Sequence, residues 1–460
     1  MEEYDVIIIG GASTGSYLAR RLSKAGHSVL VIDKDTSEKV GGRYDIFHIA
    51  EPDFKKHNLP MPVAGEDLAF KFTGVDAYSA FGKNPKRTED TIIGMHMHAY
   101  IERLNNWAKE SGAKYEYESE FKDFLFEGGK ISGAVYSSPS GDISAKAKLV
   151  ADCSGIPSVA RRKLPDGYGV ENFQITSEEM FYVVLWYVLY ENPRDYFSRE
   201  RTWTFYKTWE AAQSDPKGAI LGAGANLGFK WAEESFSDFS KVINLPTYKV
   251  DHIEKGTTPY RRPPYSFVAD GFVVLGDAAC LTKPHAGEGV TSSMVHADMV
   301  AEKVAALLET GKPLTKENLW DINKKYYSGQ GKTFAGMLAM LIGAVSTTAK
   351  ENDFFFEKDI IFSKKSFEAM SRSEALAFSN PEMLSMALTM LGGVVTGRLS
   401  TKTIGALLKA MGNSGKITAL YSEYPSAPGG FDEWKAKADA LWAGVGTMAD
   451  VLAKQKGIAK

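Results

Sequence analysis

Asp5-Val6-Ile7-Ile8-Ile9-Gly10-Gly11-Ala12-Ser13-Thr14-Gly15 opens the chain as a short apolar run that breaks into a glycine turn. A helical pattern over 16–25 follows, and Ser28-Val29-Leu30-Val31-Ile32 is a second apolar run that ends on Asp33. Short, wholly apolar runs suit parallel strands covered on both faces, and strand, glycine turn, helix and strand in ~30 residues spell a βαβ unit. Gly10, Ala12 and Gly15 occupy the glycine positions of a G-x-G-x-x-G frame, with Ala12 in place of the middle glycine. Glycine there lets the backbone approach a pyrophosphate at a helix N-terminus, and an acid ~20 residues on accepts hydrogen bonds from a ribose. Asp33 stands close to that spacing, so the opening reads as a dinucleotide-binding turn.

Two more apolar runs, Lys148-Leu149-Val150-Ala151-Asp152 and Gly271-Phe272-Val273-Val274-Leu275, lead into glycine and small residues far from the first. They imply a discontinuous nucleotide domain, residues 1–165 with a sheet segment near 63–95, returning at 261–315. Between the parts, 115–135 reads as a meander turning at Gly128-Gly129, and 180–206 carries long aromatic and β-branched runs. A β-rich substrate domain is therefore expected at 166–260, with Trp203 and Phe205 as candidate substrate contacts. Residues 316–460 form a helical C-terminal domain, since Met337, Met340 and Leu341, and later Met383, Met386, Leu388 and Met390, recur at helical spacing.

At 460 residues the chain is about three times the ~150 of one domain, which agrees with several units. A net charge of −3 without a block of like charges argues against nucleic acid as a partner. Two cysteines, Cys153 and Cys280, are too few for a disulfide framework, and the acidic start is unlike a signal peptide, so a cytoplasmic location is expected. No apolar run reaches the ~20 residues of a membrane span. His96 and His98 alternate without an accompanying acid or thiol cluster, so no metal is expected.

Gly276-Asp277-Ala278-Ala279 follows the last of these strands, and Pro284-His285-Ala286-Gly287-Glu288-Gly289-Val290 leads into a helix near Thr291. With Asp152-Cys153-Ser154-Gly155, Ser158 and Arg161, these motifs resemble the FAD-dependent p-hydroxybenzoate hydroxylase superfamily. Within it the chain is similar to the geranylgeranyl reductase family, especially archaeal digeranylgeranylglycerophospholipid reductases. That likeness is carried also by Arg261-Arg262-Pro263, Leu319-Trp320-Asp321 with Tyr326, and the tail 420–428.

The resemblance implies an α/β fold: a discontinuous Rossmann-like FAD-binding domain with an inserted antiparallel β-sheet substrate domain and a helical C-terminal domain. It implies noncovalent FAD held by Gly10, Ala12, Gly15, Asp33, Arg43, Asp277, Gly287, Gly289 and Val290. The activity implied is reduction of carbon–carbon double bonds in an isoprenoid or similar apolar alkene, with flavin N5 and a proton donor supplying the two hydrogens. Only one dinucleotide fingerprint is present, so electrons would come from transient NAD(P)H, ferredoxin or another carrier. A prenyl-lipid substrate also implies peripheral contact with a membrane.

Three departures concern the pocket. Asp45, in Gly41-Gly42-Arg43-Tyr44-Asp45-Ile46, stands where the family carries a cysteine; Ala211-Ala212-Gln213-Ser214-Asp215 replaces its aromatic run ahead of Pro216-Lys217-Gly218. A helix arginine near residue 100 has no match in register, Arg103 being the nearest. If Asp45 lies over the flavin in a dry pocket, its raised pKa makes it the proton donor. His285, and after it His48, are the other groups expected to titrate near neutral pH, and Glu288 faces either flavin or solvent. Two alternatives stay open: a flavin monooxygenase of the same superfamily, and a catalytically silent flavin and lipid binder. A halogenating version lacks its Trp-x-Trp-x-Ile-Pro element here.

Overall fold

The computed structural model describes residues 1–42, 44–82, 85–192, 198–205, 207–344, 347–372, 374 and 379–446; Arg43 lies outside them. The strand Glu3–Ile9 runs parallel to Val29–Ile32 on one side and to Gly141–Asp152 on the other. Val6, Ile7, Ile8 and Ile9 are all buried, which means that both faces of this sheet are covered and alternation has no wet side to serve. Phe272–Val274 joins parallel to Gly141–Asp152, and Lys114–Glu116 parallel to Val29–Ile32, so a distant segment completes the sheet. The opening helix is Ser13–Lys24, which packs against the long helix Val290–Glu309. Tyr17 Oη, on the first of these, donates to Asp298 on the second at 2.8 Å.

The Glu120–Glu127 and Lys130–Ser138 strands form a hairpin on the extension of Gly141–Asp152. Its two-residue loop is Gly128-Gly129, with φ of +58° and +78°. Positive φ at both central residues is the geometry that matches strand twist, and glycine alone reaches it without strain.

A seven-stranded sheet forms the second layer. In spatial order its strands are Tyr248–Pro259, Met180–Tyr190, Gly218–Asn226, Thr208–Ala212, Glu200–Trp203, Val75–Tyr78 and Lys86–Thr88. The last two come from the 63–95 segment, which thus extends the inserted sheet rather than the nucleotide sheet, because Glu200–Trp203 offers Val75–Tyr78 a parallel edge. Leu68–Phe72 and Ile92–His96, from the same segment, pair with each other and, through Ile92–His96, with Ile46–Ala50 in a three-stranded sheet.

The helical third is pinned by an aromatic knot. Trp320 Nε1 donates to the Pro425 carbonyl at 3.0 Å, Tyr424 Oη to the Tyr265 carbonyl at 2.7 Å, and the Tyr327 and Tyr424 rings stack at 4.7 Å. Full burial of each such ring contributes on the order of 2–3 kcal/mol. The tail and the Trp320 motif therefore pack on each other, at a distance from the cavity described below.

Candidate active site

The opening turn is built around two glycines that nothing else can replace. A Cβ on Gly10, at φ +100°, would lie 2.4 Å from the Cys153 carbonyl oxygen, and one on Gly15 would lie 1.9 Å from the Gly10 oxygen. Ala12 sits at φ −75° and ψ −164°, an ordinary extended conformation, and its methyl packs against the core. The helix behind it has no side-chain cap and no acid in its first turn, which leaves amides and the positive dipole end open to an anion. Asp33 closes the turn: its carboxylate accepts from the Gly11 N–H at 2.7 Å and the Asp35 N–H at 2.9 Å. Burial raises its pKa despite those two donors.

The two later strands deliver their acids to the same place. Asp152 is fully buried and accepts from Ser154 N–H and Oγ–H and from Arg161 N–H. Arg161 in turn donates through Nε to the Ala278 carbonyl at 2.9 Å, and Ser158 Oγ donates to the same oxygen at 3.2 Å. These bonds tie the middle element to the turn that carries Asp277. Gly276 holds φ +64°, and Asp277, set in the cavity wall, is pushed up to about 6 by burial, with Thr282 Oγ1 donating to it at 3.3 Å. Gly289 must stay small, since a Cβ would lie 2.9 Å from Asp277 Oδ1.

Gly10, Ala12, Asp33, Asp277, Gly287, Gly289 and Val290 all line one cavity of about 2190 Å³; Gly15 lies beneath the turn. Drug-sized ligands occupy pockets of roughly 300–1,000 Å³, so a dinucleotide leaves space beside it. An anion-ready helix end, a ribose-accepting carboxylate and a second carboxylate with glycine amides beyond it fit FAD in donor set and in shape.

The rest of the cavity is walled by the seven-stranded and the three-stranded sheets. Val183, Leu185, Ala211 and Ile220 line it, as does Trp209, whose indole lies where a Cβ on Gly222 would stand. Trp209 supplies an aromatic wall two residues before Ala211, on the same face of the strand, a signal present in the sequence but displaced from the expected run. Glu200 and Lys207 also line this space, and sequence reasoning missed both. Burial raises the Glu200 carboxyl, with the His48 charge acting more weakly the other way.

Asp45 is placed elsewhere. Its carboxylate faces His96 Nδ1 at 3.1 Å, its N–H donates to Glu254 at 3.0 Å, and it is absent from the cavity wall. A half-exposed carboxylate with a histidine partner lacks the dry setting that the proton-donor expectation required. His285 does line the cavity, but burial first and the Lys283 charge second push it down to about 4, so it is neutral at pH 7 rather than titrating there. Glu288 turns to Lys283 at 2.8 Å and accepts from Thr291 N–H and Oγ–H, serving as a local cap.

His48 and Phe205 border the cavity. Trp203 borders it too, from a buried position stacked on Tyr78 at 5.0 Å. Arg103 pairs with Asp67 and Glu66, off the cavity wall. His98 Nδ1 lies 3.2 Å from the Val40 carbonyl, and among the described residues no group of three or more His, Cys, Asp or Glu could hold a metal.

Residues 3–50 match the FAD binding domain family. The fold and the cradle define an FAD-dependent oxidoreductase. The chain is similar over 95% of its length, at 24% identity, to the digeranylgeranylglycerophospholipid reductase of Sulfolobus acidocaldarius, of which it covers 97%. It is 26% identical over 67% of its length to digeranylgeranylglycerophospholipid reductase 2 of Methanothermobacter thermautotrophicus, covering 80% of that protein. Among solved structures, a geranylgeranyl bacteriochlorophyll reductase-like protein from Thermoplasma acidophilum superposes with a TM-score of 0.64 at 16% identity, over 86% of this chain and 98% of that one. A flavin-dependent brominase shares the fold at a TM-score of 0.58 and 18% identity, over 86% of this chain and 99% of that one. The likeness to geranylgeranyl reductases carried by the motifs is thus matched by relatives of that name.

Proposed function

We propose that the chain reduces carbon–carbon double bonds of an isoprenoid, geranylgeranyl-type lipid or a similar apolar alkene. The observation that carries this reading is the continuity of the FAD cradle with a large, mostly apolar cavity between two sheets. The names of the relatives favour a reductase over a monooxygenase. FAD, when bound and reduced, supplies the hydride. Val183, Leu185, Ala211, Trp209 and Ile220 hold the chain of the alkene and keep water from it. The Glu200 carboxyl, whose pKa burial raises, delivers the proton from its side-chain oxygen. Electrons reach the cofactor from a carrier such as NAD(P)H or ferredoxin. The test is product analysis: protein reduced and incubated without oxygen with a geranylgeranyl lipid yields a product with added hydrogen, whereas recovery of unchanged lipid rejects the reading.

Such a substrate lies in a membrane, and the reading includes a cytoplasmic protein in peripheral contact with one. Among the described residues no helix is long and apolar enough to cross a membrane. The helix Asn380–Val395 nevertheless exposes Leu384, Leu388, Leu391 and Val395 at helical spacing, with Val395 86% exposed. On the following helix Lys402, Lys409 and Lys416 are exposed at seven-residue spacing. An exposed apolar stripe with exposed cations on the next helix suits an anionic bilayer surface. Vesicles with anionic lipid are expected to pellet the protein, and Leu388→Glu with Leu391→Glu to lower the bound fraction about tenfold; pelleting unaffected by the pair removes this face from the contact.

A further inference from the structure

Three polar side chains stand in the cavity wall, two of them with a buried atom that meets no hydrogen-bond partner. Asn226 is 5% exposed and its Nδ2 meets no acceptor; Tyr260 is 7% exposed and its Oη is likewise unpaired. Lys207 lines the same cavity, its ammonium 4.8 Å from the Phe181 ring centre and 5.5 Å from that of Tyr260. Burial is the one influence on its ammonium, with no charge of a neighbouring carboxylate acting on it.

The pairing of strands brings these groups together. Asn226 stands opposite Phe181, and Phe181 opposite Thr258, across three adjacent antiparallel strands. Directly opposite residues share a face at ~5 Å, so the three make one row along the cavity. The Phe181 ring is its hub, 5.8 Å from the Tyr260 ring with Lys207 beside it. Gly224 leaves room for that ring, since a Cβ there would lie 2.2 Å from it, and the Gly224 N–H donates to the Lys207 carbonyl at 2.9 Å. That bond helps hold Lys207 at φ +47°, a left-handed conformation that a side-chain-bearing residue adopts at a cost. At the other end of the row Thr258 Oγ1 lies 3.1 Å from Thr282 Oγ1, which donates to Asp277. Asn226 is therefore about two strand spacings, ~10 Å, from Thr258 at the edge of the cofactor cradle.

An ammonium, an amide N–H and a phenol O–H can all donate, and the three side chains line the same largely apolar wall, with Asn226 Nδ2 and Tyr260 Oη unpaired. Buried donors left unpaired are costly, and a ligand oxygen that accepts from them relieves that cost. We propose that Lys207, Asn226 and Tyr260 form an oxyanion subsite that grips the acidic head group, phosphate or carboxylate, of the lipid while its chain lies along the apolar wall. This rests on the apolar-substrate reading above. Burial lowers Lys207 to about 8, which leaves most of it charged at pH 7.

The test measures binding of dodecyl phosphate, dodecanoate and dodecanol to the full FAD-loaded chain by titration calorimetry. At least one anionic probe is expected to bind tenfold or more tightly than dodecanol, and the stronger of the two identifies the head group. Lys207→Met is expected to bring that preference within twofold while dodecanol binding stays unchanged. Asn226→Leu, an independent variant, is expected to reduce it several-fold. Equal binding of all three probes by the wild type, or a preference that survives both substitutions, overturns the subsite. Dodecanol binding without an anionic preference leaves the apolar cavity standing, whereas failure of all three probes to bind overturns both.

Discussion

Gly15→Ala protein is expected to retain less than a tenth of the FAD that the wild type carries. The added methyl would sit 1.9 Å from the Gly10 carbonyl, and backbone cannot yield as the end of a flexible side chain can. To relieve the clash the turn must move away from the helix, which takes the first-turn amides off the pyrophosphate position. The flavin-to-protein absorbance ratio of the purified variant measures this directly. Ala12→Gly is the control: since Ala12 is in an ordinary extended conformation, FAD affinity should change by no more than a few-fold. Full flavin content in Gly15→Ala would show that the turn does not hold the cofactor.

Glu200→Gln is expected to keep its FAD, to be reduced by dithionite at the wild-type extent, and to lose a hundredfold or more in alkene reduction. General acids in position contribute typically 10²–10⁴-fold, and glutamine preserves the volume and polarity of the side chain while removing the proton it could give. Glu200→Asp should recover part of the rate. The pH dependence has a definite sign. Burial raises the folded-state carboxyl pKa, so the acid form persists to a higher pH than for an ordinary glutamate. The wild-type rate should therefore be full on the acid side and fall as pH rises through that raised value, and the glutamine variant should lack this limb. Turnover of Glu200→Gln equal to wild type would assign the proton to another group.

What could be read from the sequence was what local chemistry marks. The βαβ opening is written in adjacent residues, and so is the Gly128-Gly129 turn, because positive φ at two consecutive positions admits little else. Even there the helix begins at Ser13, three residues ahead of the expected start, because Gly15 belongs to its first turn and not to the loop. The strand after residue 271 and the Asp277 turn were legible for the same reason: an apolar run that stops at glycine. Asp45 shows the opposite case. Its slot in the chain pointed to the flavin, but side-chain direction depends on pairing of Ile46–Ala50 with Ile92–His96, which brings His96 to it. Glu200, Lys207, Asn226 and Tyr260 carry no local signature. They line one cavity only because distant segments pair in the seven-stranded sheet, and their desolvation follows from that assembly rather than from any neighbour in sequence.

On the proposed reading, reduced FAD in this chain gives its electrons to an isoprenoid double bond. The most direct measurement is anaerobic: the protein is purified with FAD, reduced with dithionite, freed of excess reductant and mixed with a geranylgeranyl lipid while flavin absorbance is followed. Return of the oxidised spectrum in step with formation of a saturated product is expected. Flavin that stays reduced with that lipid and is reoxidised only when oxygen is admitted would contradict it.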